Sequence, residues 1–177
     1  MGTLISEEYR ALQEALHRNP DYGMASVGYA PIVAETMKRL GVIELLDYGA
    51  GKGRLGAALK DYFSRLTVHH YDPAIAEWAR APRGCAFVAC IDVLEHIEPE
   101  CLDSVLDDLK RVVLAHAMFT VHTGPAVKTL ADGRNAHLIQ RPARWWLPKF
   151  LERWELLAFN KAADGFWVIV RRQDQNA

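Results

Sequence analysis

A run of alternating glycines, set between an apolar stretch and a segment of helical spacing, narrows the possible folds of this chain more than any other feature. The apolar stretch Val42–Tyr48 contains the acid Asp47 near its end, and the glycines follow at Gly49, Gly51 and Gly53. Glycine lets the backbone turn sharply and lets a ligand approach the main chain with no Cβ in the way. The run predicts a buried strand, a ligand-binding loop and a helix in immediate succession.

Two well-known phosphate-binding loops do not fit this run. A nicotinamide dinucleotide fingerprint requires a third glycine at the position of Arg54. A P-loop requires glycine at the position of Leu46 and serine or threonine at the position of Gly53. A structural turn without any ligand stays open as an alternative.

Strands and helices alternate along most of the chain. The expected strands are, in order, Val42–Tyr48, Thr67–Tyr71, Cys85–Ile91, Ala117–Val121, Glu155–Asn160 and Phe166–Arg171, the last two forming a hairpin. Expected helices follow Ser6, begin near Pro31, and cover Arg54–Phe63, Ala74–Ala79, Pro99–Val113 and Arg141–Arg153. This order predicts a Rossmann-like, doubly wound α/β fold, with a mainly parallel sheet and one antiparallel strand from the C-terminal hairpin. Ligands of such sheets lie beyond the carboxyl ends of the strands.

Composition and charge exclude several other classes of protein. The 21 Lys and Arg residues nearly balance the 22 Asp and Glu residues, which leaves no overall electrostatic signature of nucleic-acid binding. The three cysteines never form a Cys-x-x-Cys pair, which argues against a disulfide framework or a zinc knuckle. The sequence has no secretion-signal pattern and no apolar stretch long enough for a bilayer, so we expect a cytoplasmic enzyme or binding domain without a membrane partner.

The glycine run resembles motif I (D/E-x-G-x-G-x-G) of class I S-adenosylmethionine-dependent methyltransferases, through Asp47, Gly49, Gly51 and Gly53. The resemblance implies that the loop faces the amino-acid part of S-adenosylmethionine, with Asp47 near its ammonium group. It also implies one domain over residues 1–177, made of a helical cap (1–40), a cofactor-binding core (41–122) and an acceptor segment with a Trp-rich helix and hairpin (123–177). The expected cofactor-binding residues are Asp47, Tyr48, Gly49, Ala50, Gly51, Gly53, Asp72, Pro73, Asp92 and Val93.

Asp72 ends the second expected strand and is followed by Pro73. A carboxylate at this place can accept hydrogen bonds from both ribose hydroxyls, and the resemblance gives Asp72 that role. Capping of the helix expected after it is an alternative that is compatible with the first. The family usually has a further strand before the one at Cys85, and the short interval leaves no room for it. We therefore expect a sheet that is abbreviated around its third strand.

A second group of polar residues follows the strand that ends at Ile91. The segment Cys90–Ile97 resembles the D/E-V-L-E-H stretch of many methyltransferases of this class, including the ubiquinone-type O-methyltransferases. The spacing of Asp92, Glu95 and His96 would place all three on one face of a helical turn. Such a group can bind a divalent metal, act as a general base, or form a hydrogen-bonded turn.

His137 lies in the loop before the Trp-rich helix and resembles a histidine that enters the family's active site. The small-RNA 3′-terminal 2′-O-methyltransferases have a related layout, which implies a site for Mg²⁺ or Mn²⁺ formed by Asp92, Glu95, His96 and His137. Without a metal, the expected catalytic residues are His137, His96 and Glu95, with a histidine as general base. Arg134 and Asn135 are expected to contact the substrate, whereas His17 and His116 are expected at the surface.

These resemblances imply methyl transfer from S-adenosylmethionine to oxygen of a small metabolite, saccharide or nucleotide-like acceptor. Two alternatives stay open: a nucleic-acid methyltransferase acting on a terminal ribose 2′-oxygen, and an inactive cofactor-binding domain that regulates a partner. The cations and tryptophans that interleave over residues 141–154 favour an amphipathic helix packed on the sheet over a nucleic-acid surface.

Overall fold

A computed structural model describes residues 2–173; residue 1 and residues 174–177, the two ends of the expected single domain, lie outside the described residues. The strands are β1 Glu44–Tyr48, β2 Thr67–Tyr71, β3 Cys85–Cys90, β4 Val113–His122, β5 Trp154–Lys161 and β6 Gly165–Arg172. They form one six-stranded sheet in the order β2-β1-β3-β4-β6-β5. Strands β1 to β4 pair in parallel, and β6 runs antiparallel to both β4 and β5. The expected Rossmann-like fold with one antiparallel strand is confirmed.

The sheet ends at β2, so the abbreviation expected around a third strand is also confirmed. The helix expected over Ala74–Ala79 is wrong, because residues 73–78 form turns. Asp72 fixes these turns: its main-chain N–H donates to the carbonyl of Trp78 (3.2 Å), and its carboxylate accepts the N–H of Ala74 (2.9 Å). Each bond closes a loop of a few residues back on the end of β2, which leaves no continuous helical turn.

Helices cover both faces of the sheet. They are α1 Glu7–His17, α2 Ala25–Leu40, α3 Arg54–Leu59, α4 Leu102–Val112 and α5 Ala143–Leu151. The side chain of Ser6 caps α1 as expected, and Gly41, at φ 68°, ends α2. The start expected for α2 is wrong, because the helix begins at Ala25 and includes Pro31, where the proline removes only one intrahelical hydrogen bond.

Each face of the sheet buries its own apolar core, because neighbouring side chains of a strand point to opposite faces. Phe87 packs with residues of α2 and α3, and Val88 packs with residues of α4 and α5. Trp146 of α5 is fully buried in the second core, so the Trp-rich helix packs on the sheet as expected. Within residues 2–173, no helix combines the length and the apolar character needed to cross a membrane.

Candidate functional site

The glycine loop is folded tightly against the end of β2. The N–H groups of Gly49 and Ala50 both donate to the carbonyl of Tyr71, at 2.7 and 3.0 Å. Gly49, Gly51 and Gly53 all have positive φ, at 80°, 53° and 66°. A Cβ on Gly49 would lie 2.4 Å from a methyl carbon of Val93, so a side chain has neither the conformation nor the room it needs there. The alternating glycines are therefore required by the shape of the loop.

Asp72 reaches from the end of β2 to this loop. One carboxylate oxygen accepts the N–H of Gly51 at 2.8 Å, and the other accepts the N–H of Ala74 at 2.9 Å. The residue is 6% exposed and lies in the wall of a cleft. The two roles proposed for Asp72 thus occupy compatible positions, since it caps the following turn and also faces the space beside the glycine loop.

The cleft beside the glycine loop, called here the loop cleft, has a volume of about 780 Å³ including its open mouth. That is large enough for a nucleoside-sized ligand. Most of the expected cofactor-binding residues line it, namely Asp47, Gly49, Ala50, Gly51, Asp72, Pro73, Asp92 and Val93.

Tyr48 and Gly53 do not line the loop cleft. The hydroxyl of Tyr48 donates to Asp108 of α4 at 2.9 Å, so its side chain belongs to the core. Gly53 is the N-cap residue just before α3, and a Cβ there would lie 3.0 Å from the ring of Trp78. Both residues therefore contribute to the shape of β1 and the glycine loop and not to the lining of the cleft.

Helix α1 forms the opposite wall of the loop cleft, which the sequence did not reveal. Tyr9, Gln13 and His17 repeat every fourth residue and all three line the cleft. The hydroxyl of Tyr9 donates to the main-chain carbonyl of His96 at 2.6 Å and accepts from Gln13 at 2.6 Å. The four-residue spacing of these polar side chains is the sequence feature that could have predicted a polar face of α1 at the site.

The expectation that His17 lies at the surface is wrong. Its side chain is 12% exposed, and its Nε2 lies 4.0 Å from a carboxylate oxygen of Asp72. Its Nδ1 is buried and has no hydrogen-bond partner among residues 2–173. Burial lowers the pKa of His17, which Asp72 partly offsets. His17 therefore lines the loop cleft with a ring whose buried Nδ1 no group among residues 2–173 satisfies.

The glycine loop also holds the connection between α1 and α2. The ammonium of Lys52 donates to the carbonyls of Asn19 and Tyr22, and Arg54 donates to the carbonyl of Pro20 at 2.6 Å. These bonds fix residues 19–22 over the loop cleft, with the Tyr22 ring edge-on to His17 at 5.2 Å.

A second cleft, called here the histidine cleft, adjoins the first and has about 650 Å³ including its open mouth. The two clefts share Tyr22, Gly23, Asp92 and His96. The histidine cleft adds side chains from the end of β4 and from the loop before α5, including His122, Lys128 and His137. The shared wall places this polar group directly beside the loop cleft.

An uncommon backbone conformation at Asp92 directs its carboxylate to the place where the two clefts meet, called here the junction. Its φ is 60°, and no other non-glycine residue of the described chain has a positive φ. Asp tolerates this left-handed region better than most residues. The N–H of Asp92 donates to the hydroxyl of Thr120 at 2.8 Å, which ties the turn to β4.

Two histidines meet Asp92 at this junction. The Nδ1 of His96 bonds to the carbonyl of Ala136 at 2.8 Å, and the Nδ1 of His137 bonds to the carbonyl of Gly124 at 2.8 Å. Since a carbonyl only accepts, each Nδ1 carries the hydrogen and each neutral ring keeps an unprotonated Nε2. Burial lowers the pKa of His96 to about 4, although Asp92 opposes the shift, so His96 is neutral near pH 7.

Glu95 is not part of this group, which corrects the expectation that it shares a face with Asp92 and His96. Residues 94–96 form a 3₁₀ turn, where neighbouring side chains diverge by about 120°. Glu95 is fully buried and accepts the main-chain N–H of His122. Burial, with a contribution from Asp92, raises its pKa to about 8. Glu95 therefore lies apart from the ligating atoms of Asp92, His96 and His137.

Arg134 and Asn135 line neither cleft. Arg134 pairs with Asp132 at 2.7 Å on the surface. The side-chain oxygen of Asn135 accepts the N–H groups of Ala126 and His137, both at 2.9 Å. Asn135 therefore shapes the loop that presents His137, and its own amide is already occupied there.

The sheet order, the glycine loop and the acid at the end of β2 define the class I methyltransferase fold, as the resemblance implied. No protein-family model and no curated protein matches the chain, but solved structures do. One is a Burkholderia thailandensis 1,6-didemethyltoxoflavin-N1-methyltransferase with bound 1,6-didemethyltoxoflavin and S-adenosylhomocysteine, at 17% identity and a TM-score of 0.66, covering 98% of this chain and 93% of that one.

Two further solved structures show the same fold. The DhpI–S-adenosylhomocysteine complex has 16% identity and a TM-score of 0.65, and the match covers 99% of this chain and all of that one. The mitomycin 7-O-methyltransferase MmcR has 19% identity and a TM-score of 0.67, with 94% of this chain matching 59% of that protein. At these identities the similarity shows the fold alone.

Proposed function

We propose that this protein is an S-adenosylmethionine-dependent methyltransferase that acts on an oxygen atom of a small metabolite, saccharide or nucleotide-like acceptor. The observation that carries the proposal is the pair of clefts with a shared wall. One cleft has the glycine loop and Asp72, and the other has two histidines whose Nδ1 atoms bond to main-chain carbonyls.

The residues of the loop cleft fit the proposed cofactor. Gly49 and Gly51 line the cleft without a side chain, and Asp72 faces the cleft with a carboxylate that can accept from ribose hydroxyls. Asp47 is buried, and its Oδ2 has no hydrogen-bond partner among residues 2–173, with His70 at 3.6 Å. A ligand ammonium would satisfy this oxygen. When bound, S-adenosylmethionine supplies an electrophilic methyl group on a sulfonium.

The histidine cleft fits an acceptor hydroxyl at the junction. In the proposed reaction the hydroxyl oxygen bonds to the methyl carbon as the carbon–sulfur bond breaks, and Nε2 of His137 accepts the hydroxyl proton. Burial lowers the pKa of His96 to about 4, so it is a poor base and serves to orient the hydroxyl. Positioning and exclusion of water by α1 and Tyr22 would supply much of the rate enhancement.

A small acceptor agrees with the size and charge of the histidine cleft. Its lining has Lys128 as a cation against the carboxylates of Asp21 and Asp92, which does not favour a polyanion. Two similar structures, the didemethyltoxoflavin enzyme and the mitomycin enzyme, are named for small acceptors.

Binding of S-adenosylhomocysteine by calorimetry and transfer of a labelled methyl group into a fractionated small-molecule extract together test the proposal. We expect binding, and label in a small-molecule fraction that is lost with His137→Gln and kept with His69→Gln, a change at an exposed histidine of β2. Binding without label in any fraction would identify a regulatory domain instead. Absence of binding would refute the cofactor assignment.

A further inference from the structure

Two imidazoles and one carboxylate converge where the two clefts meet. Asp92, His96 and His137 each offer a ligating atom, and these atoms all lie within 4.8 Å of one another. They come from the end of β3, the following 3₁₀ turn and the loop before α5, so the fold brings the set together. Glu95, which would have added a second carboxylate, lies outside it.

Both imidazoles are held in the tautomer that metal coordination requires. The carbonyls of Ala136 and Gly124 each accept from an Nδ1, at 2.8 Å, and this leaves Nε2 as the free lone pair of each ring. Metal-bound histidines commonly donate their other nitrogen to a carbonyl or carboxylate in this way. The two rings stand nearly perpendicular, with centroids 4.7 Å apart.

The surrounding structure also fixes the backbone conformation of Asp92. A non-glycine residue in the left-handed region is retained only where the surrounding structure enforces it, and such residues concentrate at functional sites. Here the Thr120 hydroxyl holds the N–H of Asp92, and the carboxylate is left without a hydrogen bond from the described chain. Asp92 thus offers a carboxylate oxygen within 4.8 Å of a ring nitrogen of each histidine.

We propose that Asp92, His96 and His137 bind one divalent transition-metal ion. Two nitrogen ligands and one oxygen ligand suit Zn²⁺, Mn²⁺, Fe²⁺ or Co²⁺, whereas Mg²⁺ prefers oxygen ligands. Ligand atoms about 2.1 Å from one ion are about 3 Å apart, so the three side chains close around it by small rotations. All three residues line the histidine cleft, so a bound ion would be accessible from it.

The inference deepens the proposed function and rests on it for the identity of the additional ligand, the oxygen of the acceptor. A hydroxyl coordinated by a divalent ion has a lowered pKa and a fixed orientation. In the metal-bound form Nε2 of His137 is a ligand, and the hydroxyl proton passes to solvent water instead. The ion then replaces His137 as the means of ionising the acceptor.

Metal binding is tested on the full chain, without a tag, after treatment with chelator and in the absence of cofactor and acceptor. Co²⁺ is titrated by its visible absorption and Zn²⁺ by calorimetry. We expect one equivalent to bind, and Asp92→Asn, His96→Gln and His137→Gln each to weaken binding by at least about tenfold. Asn tolerates the left-handed backbone of residue 92. His69→Gln is the matched control and leaves the affinity unchanged.

Calorimetry with S-adenosylhomocysteine on the same preparations separates the two proposals, and the midpoint of thermal unfolding shows that each variant is folded. Cofactor binding without Co²⁺ or Zn²⁺ binding by the wild-type protein would overturn the metal site and leave the methyltransferase proposal standing. Equal metal affinity in the wild type and the three ligand variants would also overturn it. Metal binding without cofactor binding would refute the proposed function and leave the metal site.

Discussion

The two clefts are built in different ways. One wall of the loop cleft is main chain at Gly49–Gly51, which Asp72 joins from the adjacent strand. The histidine cleft is made of side chains that the chain delivers from widely separated points, among them Tyr22, Asp92 and His137. The first should therefore be most sensitive to an added side chain, and the second to the loss of a functional group.

The largest expected effect is that of Gly49→Val. The Cβ of the new side chain would lie 2.4 Å from a methyl carbon of Val93, and residue 49 would have to keep a φ of 80°. Left-handed strain alone costs about 1–3 kcal/mol, and the clash adds to it, so we expect a lower midpoint of thermal unfolding and no measurable binding of S-adenosylhomocysteine. Gly133→Val shares the strain, at φ 88°, but its Cβ would meet nothing within 4 Å. Equal losses in the two variants would remove the steric account of the glycine loop.

Next in size is the effect of His137→Ala on the histidine cleft. Loss of the proposed base, or of a ligand to the inferred ion, should lower the methyl-transfer rate by about 100-fold or more. Affinity for S-adenosylhomocysteine should stay within about twofold, because His137 lines only the histidine cleft. Rates from labelled methyl transfer and affinities from calorimetry give the two values, with His69→Ala as control. A parallel loss of cofactor affinity would mean that the clefts are not separable.

Asp72→Ala, in contrast to His137→Ala, should mainly weaken the binding of the cofactor. Hydrogen bonds to a charged group contribute about 1.5–3 kcal/mol, so affinity for S-adenosylhomocysteine should fall by about tenfold or more. The carboxylate also holds the N–H of Gly51, and part of the loss would come from a looser loop. Asp61→Ala, at an exposed carboxylate just after α3, is the control. Unchanged affinity in the calorimeter would show that Asp72 does not contact the ribose.

The smallest effect concerns Asp47 and pH. Burial raises the pKa of Asp47 above its ordinary value of 3.8, while His70 opposes the shift. The folded protein therefore keeps this proton at pH values where the unfolded chain has lost it, and the free energy of unfolding falls as pH rises through that window. Asp47→Asn removes the titrating group, so its free energy of unfolding should fall less over the same window.

Urea denaturation between about pH 4 and pH 7 measures the difference between Asp47→Asn and the wild type. Asp61→Asn, which removes an exposed carboxylate, should retain the wild-type slope of free energy against pH. Identical slopes for Asp47→Asn and the wild type would place the pKa of Asp47 near its ordinary value.

The contrast between the clefts also explains what the sequence could predict. The glycine loop, Asp72 and the limits of β2 depend on neighbouring residues, and these were predicted from the local pattern. Glu95 was misplaced because its spacing was interpreted as an α-helix, whereas the segment forms a 3₁₀ turn. His17 was misplaced because helical spacing does not distinguish a side that faces solvent from one that faces a cleft.

The convergence of Asp92, His96 and His137 was suggested by a resemblance, but its composition depends on contacts over long sequence separations. The carbonyl of Ala136, for example, fixes His96 across 40 residues. No local pattern contains that contact, and the same holds for the bond from Tyr9 to the carbonyl of His96.

A crystal structure of the protein soaked with S-adenosylhomocysteine tests the central claim most directly. We expect the ligand in the loop cleft, with its amino-acid part on Gly49–Gly51, its ribose hydroxyls on Asp72 and its sulfur directed to the junction at Asp92. A ligand bound outside this cleft, or a loop cleft that stays empty at saturating ligand, would contradict the account.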